Sequence, residues 1–155
     1  MATSNNLVGK LEGELKLNSN PDEFFHSIGG KAHQLPDLIN HKIPSIELHE
    51  GDWKTEGSIK NWTYVIDGKV EVYKERMKFD EETKTVTAEA IDGDCMKHYK
   101  NYVVTAKVVT NEDGSGAVKY SVDYEKLNEN EPTPTKYLEW IGHMLKDLDA
   151  SLVKP

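Results

Sequence analysis

Tyr73 and Glu75 stand two residues apart on a segment that alternates polar and apolar side chains, and His98 and Tyr102 stand four apart further on. Tyrosine hydroxyls that donate hydrogen bonds, beside a carboxylate or imidazole that takes a proton, are sufficient for acid–base work on a shielded guest. In the Val70 to Phe79 segment, Tyr73, Met77 and Phe79 share parity with Glu71 and Glu75. If that face is inward, Glu75 is a carboxylate in an apolar wall and desolvation raises its pKa. The competing assignment turns Val70 and Val72 inward and leaves Glu75 in solvent. His98 shares parity with Tyr102 and Val104, which points it at an interior mouth; the alternative is a loop-end histidine in water. Tyr73, Glu75, His98 and Tyr102 are therefore the candidate catalytic residues, with Tyr120 as a further donor.

Other chemistry finds little support. His26, His33, His41, His49, His98 and His143 show no paired ligand spacing, so no metal is expected. Cys95 is the single cysteine, which excludes an intramolecular disulfide and fits a reducing compartment. As a nucleophile it needs a base; His98 is near in sequence but nothing orients the pair, and a passive thiol is the reading. Gly114-Ser115-Gly116 is a turn rather than a strand-to-helix phosphate loop, and no cofactor is implied. A net charge of -8, with lysines interleaved among acids, argues against a nucleic-acid partner. The polar Met1–Asn6 start lacks a signal-peptide core, and no apolar run approaches the ~20 residues of a membrane span, so a soluble cytoplasmic protein is expected.

The elements that must position these residues follow from periodicity. Leu7 to Leu17 alternates, with Leu7, Gly9, Leu11, Gly13, Leu15 and Leu17 on one side, as in a half-buried strand. Asn20-Pro21 supplies an N-cap and a proline at the first helical position, and Gly29-Gly30 ends that helix. A second short helix is predicted around Lys31 to Leu38. Strands follow over Ile43 to His49, Ser58 to Ile66, Val70 to Phe79, Thr85 to Ile91, Lys100 to Thr110 and Ala117 to Lys126. Asp67-Gly68 is a two-residue hairpin signal. Links this short make the sheet antiparallel. After Pro132 and Pro134, Tyr137, Trp140, Ile141, Met144, Leu148 and Leu152 recur at helical spacing, with Thr133 as the expected cap. One 155-residue α+β domain results.

Four patches carry a family resemblance: Leu7-Val8-Gly9-Lys10-Leu11-Glu12; Leu48-His49-Glu50-Gly51-Asp52-Trp53 with Gly57-Ser58-Ile59-Lys60; Gly93-Asp94 with Met96-Lys97 and Tyr99-Lys100; and Tyr124-Glu125-Lys126-Leu127-Asn128-Glu129. In this order they resemble the major latex protein branch of the Bet v I superfamily, over roughly Leu7 to Leu152. The resemblance implies a helix-grip fold, a seven-stranded curved antiparallel sheet around a long C-terminal helix, with two short helices and a cavity in between. It also implies binding of small hydrophobic molecules such as steroids, flavonoids or fatty acids. Similar plant proteins act as cyclases or isomerases of reactive iridoid or alkaloid intermediates. The family's glycine-rich phosphate loop is reduced here to Gly51 and Gly57, and the tight Asp67-Gly68 turn has no room for a receptor gate.

On the residues themselves, the inward faces hold Trp62, Tyr64 and Ile66, then Tyr102, Val104, Ala106 and Val108, then Val118, Tyr120, Val122 and Tyr124. Such a layer, rich in Tyr, Trp and Met, suits a mostly apolar site with a few polar groups; a fully packed core remains the other possibility. The expected ligand-contacting residues are Leu35, Trp62, Tyr64, Tyr73, Tyr102, Tyr120, Tyr137, Ile141, Met144 and Leu148. Lys31 to Pro36 is either a lid or simply a short helix closing the barrel, Trp53 either caps the cavity or seats its loop, and nothing demands more than a monomer.

Overall fold

The computed structural model describes residues 7–153, so the Met1–Asn6 segment lies outside the described residues. Strand β1 (Val8–Leu17) leads into helix α1 (Pro21–Ile28), a 3-10 turn (Ala32–Gln34) and helix α2 (Leu35–Ile39). Strands β2 (Ser45–Glu50), β3 (Ser58–Ile66), β4 (Lys69–Asp80) and β5 (Thr85–Gly93) follow. A second 3-10 turn (Asp94–Lys97) precedes β6 (Tyr99–Thr110), β7 (Gly116–Lys126) and the long helix α3 (Thr135–Leu152). The seven strands form one antiparallel sheet in the order β1-β7-β6-β5-β4-β3-β2. This is the expected helix-grip arrangement.

Local chemistry explains the boundaries. Asn20 caps α1 by accepting from Glu23 N–H at 3.0 Å, and Pro21 follows at the first helical position. Asp67 and Gly68 both have positive φ, 52° and 73°, as a two-residue turn matched to strand twist requires. The expected hydroxyl cap at Thr133 is absent. Pro134 occupies the cap position of α3 without a side-chain bond, and Thr133 contributes its backbone carbonyl, accepting from Thr135 N–H at 2.7 Å.

Packing differs from one side of the sheet to the other. At the β1–β7 side, tyrosine rings replace absent side chains: a Cβ on Gly13 would lie 2.5 Å from Tyr120 Cζ, and one on Gly142 in α3 would lie 2.5 Å from Tyr120 Oη. Further along, Asp149 of α3 accepts from the Asn18 and Ser19 amides and from the Ser19 hydroxyl, fixing the helix to the end of β1. Against β3 to β6 the helix stands off, held by Trp140 Nε1–H donating to Val65 O at 2.6 Å.

Candidate functional site

The standing-off leaves a cavity of about 90 Å³ between α3 and the inner faces of β3, β4, β5 and β6, with α1 and α2 contributing Ile28 and Leu35. Its wall is almost wholly apolar or aromatic. Of the residues expected to contact a guest, the structure brings eight together here: Leu35, Trp62, Tyr64, Tyr73, Tyr102, Tyr137, Ile141 and Met144. Two stand elsewhere. Tyr120 is spent between Gly13 and Gly142, and Leu148 is fully buried in the core and is not part of the wall. Residues without a prior assignment complete the wall, notably Met77, Val86, Ala88, Cys95, Trp140 and Leu145.

The β3–β4 hairpin supplies most of the polar atoms. Its register pairs Tyr64 with Glu71, Trp62 with Tyr73, Lys60 with Glu75 and Ser58 with Met77, all on the inner face. Val70 and Val72 are 66% and 51% exposed while Glu75 is fully buried, so the Glu71–Tyr73–Glu75 parity is the inward one. The carboxyl of Glu75 accepts from Trp62 Nε1–H and, at 2.9 Å, from the Tyr73 hydroxyl. Burial raises its pKa to about 7, against the opposing pull of those two donors and of Lys60. Glu71 Oε1 accepts from the hydroxyls of Tyr64 at 2.7 Å and Tyr137 at 2.8 Å. Burial pushes the phenols of Tyr64, Tyr73, Tyr102 and Tyr137 above their ordinary range, which keeps them protonated donors.

Lys60 was the residue that periodicity offered and chemistry hid. It shares parity with Trp62, Tyr64 and Ile66, yet a lysine in that pattern reads as an edge residue. The structure buries it completely. Its Nζ lies 3.2 Å from Met77 Sδ, 3.4 Å from Trp53 O, and over the rings of Phe79 and Trp53 at 4.9 and 5.3 Å. Desolvation lowers its pKa, with Glu75 and Asp52 acting the other way. Trp53 thus seats its loop over Lys60, and its ring also meets His33 at 5.2 Å; it is not part of the cavity wall.

His98 is outside the cavity. A β-bulge between Tyr99 and Asn101 inserts one residue into the alternation. The inward phase therefore passes to Tyr99, 1% exposed, whose hydroxyl donates to Pro132 O at 2.7 Å. The His98 side chain is 43% exposed and its Nδ1 lies 2.9 Å from Glu131 Oε1. Cys95 is carried inward by the 3-10 turn, and burial pushes its thiol up to about 12, which makes it a poor nucleophile. Among the described residues no group of three or more His, Cys, Asp or Glu is arranged to hold a metal ion, and no helix is long and apolar enough to cross a membrane.

A curved antiparallel sheet gripping a long helix around an apolar hollow defines a helix-grip protein. The comparisons with known proteins say which kind. Residues 6–155 match the model of the pathogenesis-related protein Bet v 1 family, and the chain belongs to that family. It is 39% identical to MLP-like protein 34 of Arabidopsis thaliana over 145 residues, 92% of this chain but 46% of that longer protein, so it spans about half of that relative. It is 37% identical to major latex protein 149 of Papaver somniferum over 148 residues, covering 94% and 92% of the two chains. The crystal structure of ginseng major latex-like protein 151 from Panax ginseng superposes with a TM-score of 0.92 at 34% identity, covering 96% of this chain and 99% of that one.

Proposed function

We propose that the chain binds a small hydrophobic molecule in the cavity between the sheet and α3. The observation that carries this reading is the hollow itself, walled by aromatic, aliphatic and thioether side chains whose polar atoms are mostly turned onto one another. Apolar space of this kind excludes water and rewards an apolar guest. Membership of the Bet v 1 family supports the same reading. At about 90 Å³ the cavity is smaller than the ~300–1,000 Å³ of common ligand pockets. A larger guest requires Met77 and Met144 to move aside, which unbranched thioethers do at low cost. Wild-type protein equilibrated with a mixture of monoterpenes and small phenols, then gel-filtered and extracted for mass spectrometry, retains a component that Ala106→Phe loses. Equal retention by both proteins, or none by the wild type, refutes it.

One observation favours a second reading, in which the same cavity isomerises or cyclises a reactive guest. A carboxyl with a pKa of about 7 in an apolar wall is half ionised near neutrality, suited to removing a proton from a guest carbon and returning it elsewhere. Tyr73 then orients that carboxyl and Tyr102 donates to the guest. No cofactor enters such a reaction. Product ratios from a spontaneously cyclising dialdehyde shift when wild-type protein is added and not when Glu75→Gln is added; identical ratios in both cases remove this reading.

A further inference from the structure

The polar atoms around the cavity are not equivalent. The indoles of Trp62 and Trp140 and the hydroxyls of Tyr64, Tyr73 and Tyr137 all donate within the protein. Tyr102 does not. It lines the cavity and is 6% exposed, yet its hydroxyl has no hydrogen-bond partner among the described residues. The side-chain nitrogen or oxygen that is both sealed and unpartnered among those residues is Ser58 Oγ, so the Tyr102 hydroxyl is unpartnered but not sealed, on a side chain that lines the cavity. Its ring is held edge-on by Tyr137 at 5.8 Å and against Tyr99 at 6.0 Å, which fixes the direction of the phenol.

A buried hydroxyl without a partner is costly, and a guest that supplies the missing acceptor removes the cost. Burial keeps the phenol protonated, so it acts as a donor toward such a guest. The other polar groups of the lining are the Glu75 carboxyl, whose two oxygens already accept from Trp62 and Tyr73, and the weakly polar Cys95 thiol. We propose that the cavity selects apolar molecules bearing a single acceptor oxygen, a carbonyl foremost, and that the Tyr102 hydroxyl is the group that receives it. This rests on the cavity being the binding site, and it narrows the class of guest from hydrophobic to hydrophobic with one acceptor.

The test uses two monoterpenes on the same carbon frame, the ketone carvone and the hydrocarbon limonene, with free ligand measured by headspace gas chromatography. Tyr102→Phe raises the Kd of carvone roughly five- to tenfold, the worth of one buried hydrogen bond, and leaves that of limonene unchanged. In the wild-type complex alone, the infrared carbonyl band of bound carvone lies below its position in hexane, a readout that needs no variant to fold. Unchanged carvone affinity in Tyr102→Phe, or an unshifted carbonyl band, overturns the assignment while leaving the cavity reading intact. Failure of both monoterpenes to bind the wild type overturns the cavity reading and this inference with it.

Discussion

Glu75→Gln separates the electrostatics of the cavity wall from its packing. Glutamine is nearly isosteric: its oxygen accepts from Trp62 Nε1–H, and its amide donates to the Tyr73 oxygen once that hydroxyl turns. What disappears is titration. The wild-type carboxyl moves from an ordinary 4.5 to about 7 on folding. A folded pKa raised above the unfolded one means that the folded state holds its proton more tightly. The associated stability is complete below pH 4.5 and is lost as pH rises through about 7. At about 1.4 kcal/mol per tenfold change in proton affinity, the full loss amounts to about 3 kcal/mol. Urea unfolding of both proteins, followed by far-ultraviolet circular dichroism from pH 4.5 to pH 8, measures it. The two stabilities lie close together at the acid end, and the variant becomes the more stable protein by about 3 kcal/mol at the alkaline end. Parallel curves across the window would mean that Glu75 titrates as an exposed carboxyl does, and the account of a desolvated group in the wall would be wrong.

Two further substitutions test the surroundings of that carboxyl. Lys60→Met keeps the volume of the stem and removes the cation that helps hold the Glu75 pKa down, so the upper end of the window of stability loss extends above pH 7 in the same unfolding series while its lower end stays near pH 4.5; an unmoved upper end disproves the coupling. Gly93→Ala places a Cβ 2.5 Å from Tyr73 Cβ and Val72 O at a φ of 125°, costing about 3 kcal/mol or more, and a melting temperature within a degree of wild type would refute the close approach.

Much of the fold was legible because its signals are local. The β3 boundaries, the Asp67-Gly68 turn and the start of α1 each depend on residues next to one another. The stripe on α3 follows from a period sustained over many residues, and the four apolar positions it marks from Tyr137 to Met144 all line the cavity. The site was less legible wherever alternation was interrupted or fitted two faces equally well. For β4 the pattern allowed either phase, and only contact with β3 and the solvent on Val70 and Val72 decide it. His98 was misdirected because one bulge residue reverses every assignment beyond it, and no side chain announces a bulge. Lys60 was overlooked because its burial depends on rings and a sulfur contributed by two other segments. Tyr120 does face inward as its parity requires, but what an inward ring meets is a property of depth. The glycines at 13 and 142 claim it before any guest does.

That use of Tyr120 gives the molecule two halves with separate duties. The helix packs closely on β1 and β7, whereas it reaches two of the strands that carry the hollow, β3 and β4, through the Trp140–Val65 and Tyr137–Glu71 hydrogen bonds. Changes of side chain on the strands of the hollow can therefore recast the shape and chemistry of the interior while β1 and β7 continue to hold the helix in place. On the proposed binding role, small substitutions around the hollow would exchange one guest for another without unfolding the chain.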